Sequence, residues 1–275
     1  MKTYFSTFRA LLLALSLFYN PLTATDLQNY LHFLEKSSWS KGNAAKGEIE
    51  IITKEDLIKD IESKRFFDLC KSGLSEEEAY RSSRVGIVSE DMYWTWVRDA
   101  VAFPNGKTGT YVRLIWKGSD KNTCSGGVVF PIDPEGKILL LLNYRHATRS
   151  WEWEFPRGAK EVGENMESAI LRELEEESGW IAEKVEKLGE LTPDTSTEGQ
   201  AVPIYLAKLT QKGKIDQEGT EAVQGSYAFS PEEIYEGLQK GFLEIEGQKH
   251  PFRGSYETYG ILQAILQGYL PLPKN

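Results

Sequence analysis

The chain has 275 residues, of which 40% are hydrophobic and 27% are charged. This composition is typical of a globular protein with one large or two smaller domains, and it excludes disordered, collagen-like and multi-span membrane proteins. The net charge of −9 argues against a protein that binds nucleic acid through a broad basic surface. Two cysteines are too few for a disulfide framework, and the three histidines are far apart, so we expect oxygen ligands for any bound metal.

The first 24 residues follow the order of a secretory signal peptide. Lys2 and Arg9 give a positive start, an apolar run covers residues 10–19, and the segment ends in the small residue Ala24. The run is too short to cross a bilayer as a helix. The pattern predicts a signal peptide over residues 1–24, and export to the periplasm or the medium if it is cleaved. The alternative is that this segment is a buried first helix and that the protein is cytoplasmic.

Residues 25–84 are predicted to form a helical N-terminal extension. Apolar residues recur at helical spacing over 27–34 and again over 57–69. Ser75 followed by Glu78 is a capping-box pattern that predicts the start of a short helix. No chemical motif occurs here, so the segment is either a solvated extension or a surface for a protein partner.

From residue 85 onward the pattern changes to short strands mixed with helices. Strands are predicted near 85–88, 93–97, 101–103, 111–116, 126–131, 137–144, 185–191 and 202–209. Helices are predicted at about 165–178 and from Ser230 and Ser255 onward. Because strands and helices do not alternate regularly, the predicted fold class is α+β.

The helix predicted at 165–178 carries a dense set of glutamates. With about 3.6 residues per turn, Glu173 and Glu177 fall on its apolar face and Glu176 falls at the edge of that face. Like charges beside apolar neighbours are unfavourable unless a proton, a cation or a partner compensates them. Carboxylates are hard ligands for Mg²⁺, which commonly also binds substrate phosphates. The pattern favours a magnesium-phosphate site over the solvated face that a glutamate-rich helix usually has.

Around this helix the sequence resembles the Nudix box. The pattern is Gly, five residues, Glu, seven residues, Arg-Glu, an aliphatic residue, one residue, Glu-Glu, one residue, Gly and a bulky apolar residue. The matching residues are Gly158, Glu164, Arg172, Glu173, Leu174, Glu176, Glu177, Gly179 and Trp180. Trp180 stands where an aliphatic residue is usual. The resemblance covers residues 85–275 and implies a Nudix fold, a mixed β-sheet sandwiched between helices.

The resemblance implies metal ligands and catalytic groups within the box. Glu173, Glu176 and Glu177 match the ligands of Mg²⁺, with Mn²⁺ as an alternative, and Arg157 matches the residue that adds its backbone carbonyl. Glu176 and Glu177 would also be catalytic. A general base often comes from a late loop in this family, and Glu221 is our candidate; a solvated loop glutamate is the alternative.

Four further residues of the box match structural positions of the family. Arg172 would pair with the box glutamates, and Glu164 would hold the loop before the helix. Gly158 and Gly179 would permit the tight chain paths on either side of the helix.

The flanking sequence resembles the Nudix branch that hydrolyses ADP-ribose and nucleoside-diphosphate sugars. Arg145 matches an arginine that contacts the diphosphate in that branch. Trp94 and Trp96 resemble aromatic residues that stack on adenine, although both could simply pack in a sheet. The N-terminal sheet of that branch exchanges between subunits, which implies a homodimer.

The implied activity is hydrolysis of a nucleoside diphosphate linked to another group, with release of a nucleoside monophosphate. The proline of the substrate loop stands at position 193, earlier than in the family's ADP-ribose enzymes, so the substrate stays open within this class. The alternatives are a housecleaning nucleoside-triphosphate pyrophosphatase and a Nudix module that senses nucleotides without cleaving them.

Overall fold

The computed structural model describes residues 24–213 and 222–273, and it describes side chains from residue 27 onward. The predicted signal peptide, up to residue 23, and the candidate base Glu221 lie outside these described residues. The chain divides into two compact units, Met1–Ile115 and Trp116–Asn275.

In its described residues, the first unit combines three helices with a four-stranded sheet. The helices are α1 (Ala24–Lys36), α2 (Glu55–Lys71) and α3 (Glu76–Ser83), and a 3₁₀ turn spans Ala44–Lys46. The strands are β1 (Glu50–Ile51), β2 (Gly86–Glu90), β3 (Trp94–Ala102) and β4 (Thr108–Trp116), the last of which ends at the first residue of the second unit. Strand β3 pairs with each of the other three.

The core of the first unit joins its helices to its sheet. Apolar residues of α1 and α2, such as Leu34 and Ile58, are buried in one cluster with Val97 of β3. A polar contact supports this packing, because the hydroxyl of Tyr30 donates to Asp99 at 2.8 Å and Nε of Arg113 donates to the same carboxylate at 2.6 Å. Burial, followed by the charge of Asp99, raises the pKa of the Tyr30 hydroxyl.

The second unit is built on a mixed seven-stranded sheet. Its strands are β5 (Gly126–Ile132), β6 (Ile138–Arg145), β7 (Ser150–Glu154), β8 (Arg157–Ala159), β9 (Trp180–Leu191), β10 (Val202–Lys212) and β11 (Val223–Phe229). The order is β11-β6-β5-β10-β9, with β7 paired to β6 and β8 paired to β5. Strands β5 and β10 are parallel, with Val128 opposite Ile204.

Helices cover both faces of this sheet. Helix α4 (Met166–Ser178) lies on one face, and α5 (Pro231–Lys240) and α6 (Ser255–Leu266) lie on the other. Alternation along β5 produces the two layers, since Val129 packs with the α4 cluster and Val128 and Phe130 pack with the α6 cluster. A hairpin of β12 (Phe242–Ile245) and β13 (Gln248–Pro251) completes the unit.

This architecture confirms the predicted α+β class and the mixed sheet between helices. The predicted helix over 165–178 is α4, and the strand predicted at 185–191 is longer, since β9 begins at Trp180. The strands predicted near 126–131 and 137–144 are β5 and β6, which are paired at Ile132 and Ile138. No helix in the described part of the chain has the length and apolar character needed to cross a membrane.

Candidate active site

Helix α4 begins and ends at residues with clear capping roles. The side chain of Asn165 accepts a hydrogen bond from the backbone N–H of Ser168 at 2.9 Å. Gly179 has a φ of 69° and closes the helix in the left-handed region, where glycine has no steric penalty. These two ends fix the rotation of the helix relative to the sheet, and therefore the direction of its glutamates.

The glutamates of α4 differ in burial as the helical spacing predicts. Glu177 is 2% exposed, whereas the side chains of Glu173 and Glu176 are 15% and 35% exposed. Oε2 of Glu177 accepts the backbone N–H of Arg157 at 2.9 Å. This bond brings the last turn of α4 against strand β8, where the box begins.

Arg172 binds three box glutamates at once. Its Nη1 donates to Glu173 at 3.0 Å and to Glu176 at 2.8 Å, and its Nη2 donates to Glu164 at 3.1 Å. Nη2 also donates to the carbonyl of Ala159 at 2.9 Å. The hydrogen bonds from Arg172 hold the pKa of Glu164 below its usual value, and the same contacts raise the pKa of Arg172. The arginine thus fastens the loop before α4 to the helix.

Gly158 leaves space that the carboxylate of Glu173 fills. A Cβ atom at Gly158 would lie 1.9 Å from Cδ of Glu173, closer than any side chain permits. Gly158 pairs with Gly127 in β5, whose own Cβ position is filled by Ile170 and Met166 of α4. The two glycines therefore allow α4 to approach the sheet closely.

The carboxylates of α4 are the type of ligand that a divalent cation prefers, but they are not arranged as a metal-binding cluster. No three His, Cys, Asp or Glu side chains between residues 24 and 213 or 222 and 273 are arranged to hold a metal ion. Glu173 and Glu176 are turned to Arg172, and Glu177 is turned to the Arg157 amide. All three are carboxylates that rise from one helix beside the glycine-lined strand, which is the hard-oxygen donor type of Mg²⁺. A cation would have to compete with Arg172 for two of them.

A cleft of about 320 Å³ opens beside the first glycine of the box. Two arginines, Arg145 and Arg157, line it together with Gly158. Aromatic side chains from distant parts of the chain, Trp116 and Tyr256, also line it. The cleft thus places cationic and aromatic groups next to the strand that carries the Nudix box.

One buried carboxylate, Glu154, holds both cleft arginines. Arg145 donates to it from Nε at 2.7 Å and also from Nη2, and Nη2 of Arg157 donates to it at 3.0 Å. Nδ2 of Asn143 donates a further bond at 2.8 Å. Burial alone would lower the pKa of Arg157, but nearby carboxylates, led by Glu154, outweigh this and raise it. The two guanidinium groups are therefore fixed in orientation.

Helix α6 adds two residues to this region. The guanidinium of Arg157 lies 5.3 Å from the centre of the Tyr256 ring, and burial raises the pKa of that tyrosine to about 12. Glu257 is 2% exposed and accepts the backbone N–H of Phe155 at 2.9 Å. Burial raises the pKa of Glu257, with Arg157 acting in the opposite direction. Helix α6 therefore fastens the chain just ahead of the box.

The predicted site residues are found in both units. Arg145 and Arg157 share the cleft beside the box in the second unit. Trp94 and Trp96 lie on β3 in the first unit, where Trp94 is partly buried and Trp96 is 40% exposed. The candidate base Glu221 falls outside the described residues.

Glu154, Tyr256 and Glu257 were not anticipated from the sequence. The sequence did contain a local indication for Glu154, because this acidic residue stands between the large apolar residues Trp153 and Phe155. Both of these residues are buried. No local signal connects Tyr256 or Glu257 to a strand about a hundred positions earlier.

In the second unit, a mixed sheet between helices carries a glutamate-rich helix beside a cationic cleft. Residues 125–246 match the NUDIX domain family. The chain thus carries a NUDIX domain, which confirms the resemblance found in its sequence and indicates a hydrolase.

Several curated relatives share part of the chain. The ADP-ribose pyrophosphatase of Bacillus subtilis (strain 168) is 26% identical over 149 residues, which cover 53% of this chain and 72% of that protein. The methanol dehydrogenase activator of Bacillus methanolicus is 31% identical over 42% of this chain and 58% of its own length. The ADP-sugar pyrophosphatase of Mus musculus is 34% identical over 36% of this chain and 48% of its own length.

A solved structure shares the fold. The crystal structure of an ADP compounds hydrolase superposes with a TM-score of 0.53, at 19% identity, over 68% of this chain and 95% of that one. At this identity the likeness supports the fold, and the substrate has to be argued from the site itself.

Proposed function

We propose that this protein hydrolyses the diphosphate bond of a nucleoside diphosphate joined to a second group, of the ADP-ribose or nucleotide-sugar type, and releases a nucleoside monophosphate. The observation that carries the proposal is the pair Arg145 and Arg157, held by Glu154 at the cleft beside the box. Two fixed guanidinium groups suit a diphosphate, because each keeps N–H donors beyond those bound to Glu154 that can donate to phosphate oxygens. The similarity to ADP-ribose and ADP-sugar pyrophosphatases points to the same substrate class.

The proposed cofactor is Mg²⁺, with Mn²⁺ as the alternative, held by Glu173, Glu176, Glu177 and the carbonyl of Arg157. Such a cation supplies neutralisation of the diphosphate charge and a bound water of lowered pKa. The residues of the chain do the positioning: Arg172 holds Glu173 and Glu176 in reach of the strand, and the Arg157 amide orients Glu177. Glu221 remains the proposed general base, on sequence grounds.

We assign substrate binding and bond cleavage in the cleft to different residues. Arg145 and Arg157 would grip the diphosphate, and the box glutamates would act at the phosphorus that is attacked. Trp116 and Tyr256, which line the same cleft, would contact the apolar faces of the substrate. The cleft volume of about 320 Å³ is within the range of small-molecule sites.

A substrate panel tests this proposal. The purified protein is incubated with ADP-ribose, nucleotide sugars, dinucleotides and nucleoside triphosphates, each with Mg²⁺ or Mn²⁺, and the products are separated by ion-exchange chromatography. We expect a nucleoside monophosphate from the linked diphosphates. Preferred release of pyrophosphate from triphosphates would instead identify a housecleaning enzyme, and tight binding with no product would identify a nucleotide sensor. The Glu177→Gln variant is the control for a contaminating hydrolase.

We also propose that the sheet of the first unit mediates a homodimer and that Trp94 and Trp96 contribute to substrate binding there. Several apolar side chains on or beside its strands are exposed, including Tyr93, Trp96 and Tyr111. Exposed apolar groups of this kind favour contacts with another protein surface. Light scattering coupled to size-exclusion chromatography should give twice the chain mass, and a Trp96→Ser, Tyr111→Ser double variant should shift toward the monomer.

Cleavage of residues 1–24 and the extent of the catalytic domain remain proposals from the sequence. Intact-mass measurement of protein from the native host should show the loss of the first 24 residues. Activity of a truncated protein with residues 85–275 would show that the helices of 25–84 are an extension that catalysis does not need. Loss of folding in that truncation would show instead that the strands of the first unit depend on those helices.

A further inference from the structure

A second cationic cavity, of about 210 Å³, lies in the first unit. Three arginines line it: Arg81 from helix α3, Arg84 from the connection to β2, and Arg98 from β3. Apolar residues of the chain from Val85 to Val88 form the remaining wall. The proposed Nudix chemistry uses none of these residues.

Arg84, one of the residues that line this cavity, has an unsatisfied donor. Its Nη1 donates to Oε2 of Glu62 at 2.9 Å. Its Nε is buried and has no hydrogen-bond partner in the described part of the chain. Buried side-chain donors are nearly always satisfied in folded proteins, so a donor of this kind indicates a group that the protein alone does not supply. A guanidinium N–H needs a hydrogen-bond acceptor, and it forms its strongest hydrogen bonds with anionic oxygens.

Arg98 brings a second guanidinium, and no carboxylate in the described part of the chain forms an ion pair with it. Its Nη1 donates to the carbonyl oxygens of Arg81 and Arg84, both at 2.9 Å. These bonds use one nitrogen, and the side chain carries three further N–H donors on Nε and Nη2. Burial, and then the positive charge of Arg65, lower the pKa of Arg98. Its charged form is therefore disfavoured by its surroundings, and a bound anion would relieve this.

The charges around the cavity do not cancel. Arg65 adds a positive charge that acts on Arg98, and its Nε donates to the carbonyl of Ser82 at 3.1 Å. Two carboxylates form ion pairs with these four arginines. Glu62 pairs with Arg84, and the exposed Glu77 pairs with Arg81. In a protein with a net charge of −9, a local surplus of positive charge is unlike the rest of the chain. Arginine clusters of this kind bind oxyanions through several charge-assisted bonds.

We propose that this cavity is a second anion site, which binds a phosphate group through Arg81, Arg84 and Arg98. The volume of about 210 Å³ is below the usual range for drug-sized ligands, so it suits a phosphate group and not a whole dinucleotide. The group is either inorganic phosphate or the terminal phosphate of a monoester whose remainder extends outward. The site is independent of the proposed function, because none of the residues that line it is a proposed substrate contact or metal ligand.

Arginine-resolved NMR on the full chain tests the site directly. The protein is labelled with ¹⁵N-arginine and titrated with sodium phosphate at an ionic strength held constant with sodium chloride. We expect saturable shifts of the Arg84 and Arg98 Nε–Hε resonances, assigned from the Arg84→Gln and Arg98→Gln variants. The Arg145 and Arg157 resonances report the Nudix cleft separately, so either site can fail without the other. Shifts confined to the cleft arginines would overturn the proposal.

Two further titrations identify the source of the phosphate. Adenosine monophosphate should shift the same resonances if a monoester is accepted, and inorganic phosphate alone should do so if it is not. Sodium acetate is the control for a carboxylate. Binding of acetate as tight as that of phosphate would refute a phosphate site.

Charge-matched variants separate specific binding from general attraction. Arg84→Gln should weaken phosphate binding at least about tenfold, since a charge-assisted hydrogen bond contributes on that scale. Lys107→Gln removes the same charge from the β3–β4 turn and should bind as the wild type does. Equal weakening in both would refute the site. If Arg84→Gln does not fold by circular dichroism, Arg81→Gln at the exposed rim serves instead, with the same expected loss.

Discussion

The backbone N–H of Arg157 donates to Oε2 of Glu177 at 2.9 Å, which joins the first strand of the Nudix box to the last turn of its helix. The buried glutamate is thereby oriented by the main chain, and the side chain of the same arginine enters the cleft. One residue thus links the position of a proposed metal ligand to the position of a proposed diphosphate contact.

The first prediction concerns this pair. Glu177→Gln keeps an oxygen that can accept the Arg157 amide, but it removes the negative charge that the proposed cation requires. We expect turnover to fall by at least about 100-fold, while the free energy of unfolding changes by no more than about 2 kcal/mol. Steady-state kinetics and urea unfolding measure the two quantities. Glu167→Gln, at an exposed position of the same helix, is the matched control and should be nearly as active as the wild type.

The second prediction uses the space at Gly158. An alanine Cβ there would displace the carboxylate of Glu173, which is the far end of a flexible side chain and can move at small cost. We expect Gly158→Ala to lose most of its activity and to show weaker activation by Mg²⁺, with a melting temperature close to that of the wild type. Gly225→Ala on β11 meets Tyr227 at 3.3 Å and is the control. A large loss of stability in Gly158→Ala would show that the glycine has a folding role instead.

The parts of the structure that follow from local rules were predictable from the sequence. The capping boxes at Ser75 and Ser230 and the left-handed Gly179 are present as their sequence patterns indicate. The same holds for the inward face of α4, because helical spacing alone places Glu177 among apolar neighbours. These features depend on residues within about one turn of each other, so a single sequence contains the whole signal.

The cleft could not be derived in this way. Glu154 meets Arg145 across β6 and β7, and Glu257 meets Phe155 over a separation of 102 residues. Helical spacing also points Arg172 away from the box face, yet its long side chain reaches back to Glu164 and Ala159. Such contacts depend on strand pairing and side-chain length, which periodicity does not encode. The family resemblance named Arg145 as a diphosphate contact and Arg157 as a backbone ligand, but it gave no signal for the carboxylate that holds their side chains.

The third prediction tests that carboxylate. Glu154→Gln removes the anionic partner that Arg145 and Arg157 share. Their guanidinium groups are then no longer held in a fixed orientation. We expect KM for the diphosphate substrate to rise about tenfold or more, with a smaller change in kcat, and a destabilisation of about 1–3 kcal/mol. Glu152→Gln is the matched control, since Glu152 lies in the same strand and pairs with Arg253 at 2.7 Å. An unchanged KM in Glu154→Gln would contradict a role for the two arginines in binding.

The last prediction concerns acid stability. Hydrogen bonding to Arg172 lowers the pKa of Glu164 from its ordinary value of 4.5. A carboxyl group whose pKa is lower in the folded state contributes stability above its unfolded pKa, and this contribution is lost as the pH falls through the folded pKa. Glu164→Gln should therefore melt about 1–3 °C below the wild type at pH 7, and the two melting temperatures should converge as the pH falls below about 4.5. Differential scanning calorimetry from pH 7 to pH 3 measures this, with Glu167→Gln as the control. A constant difference across that range would mean that Glu164 stabilises the loop by packing and not by its charge.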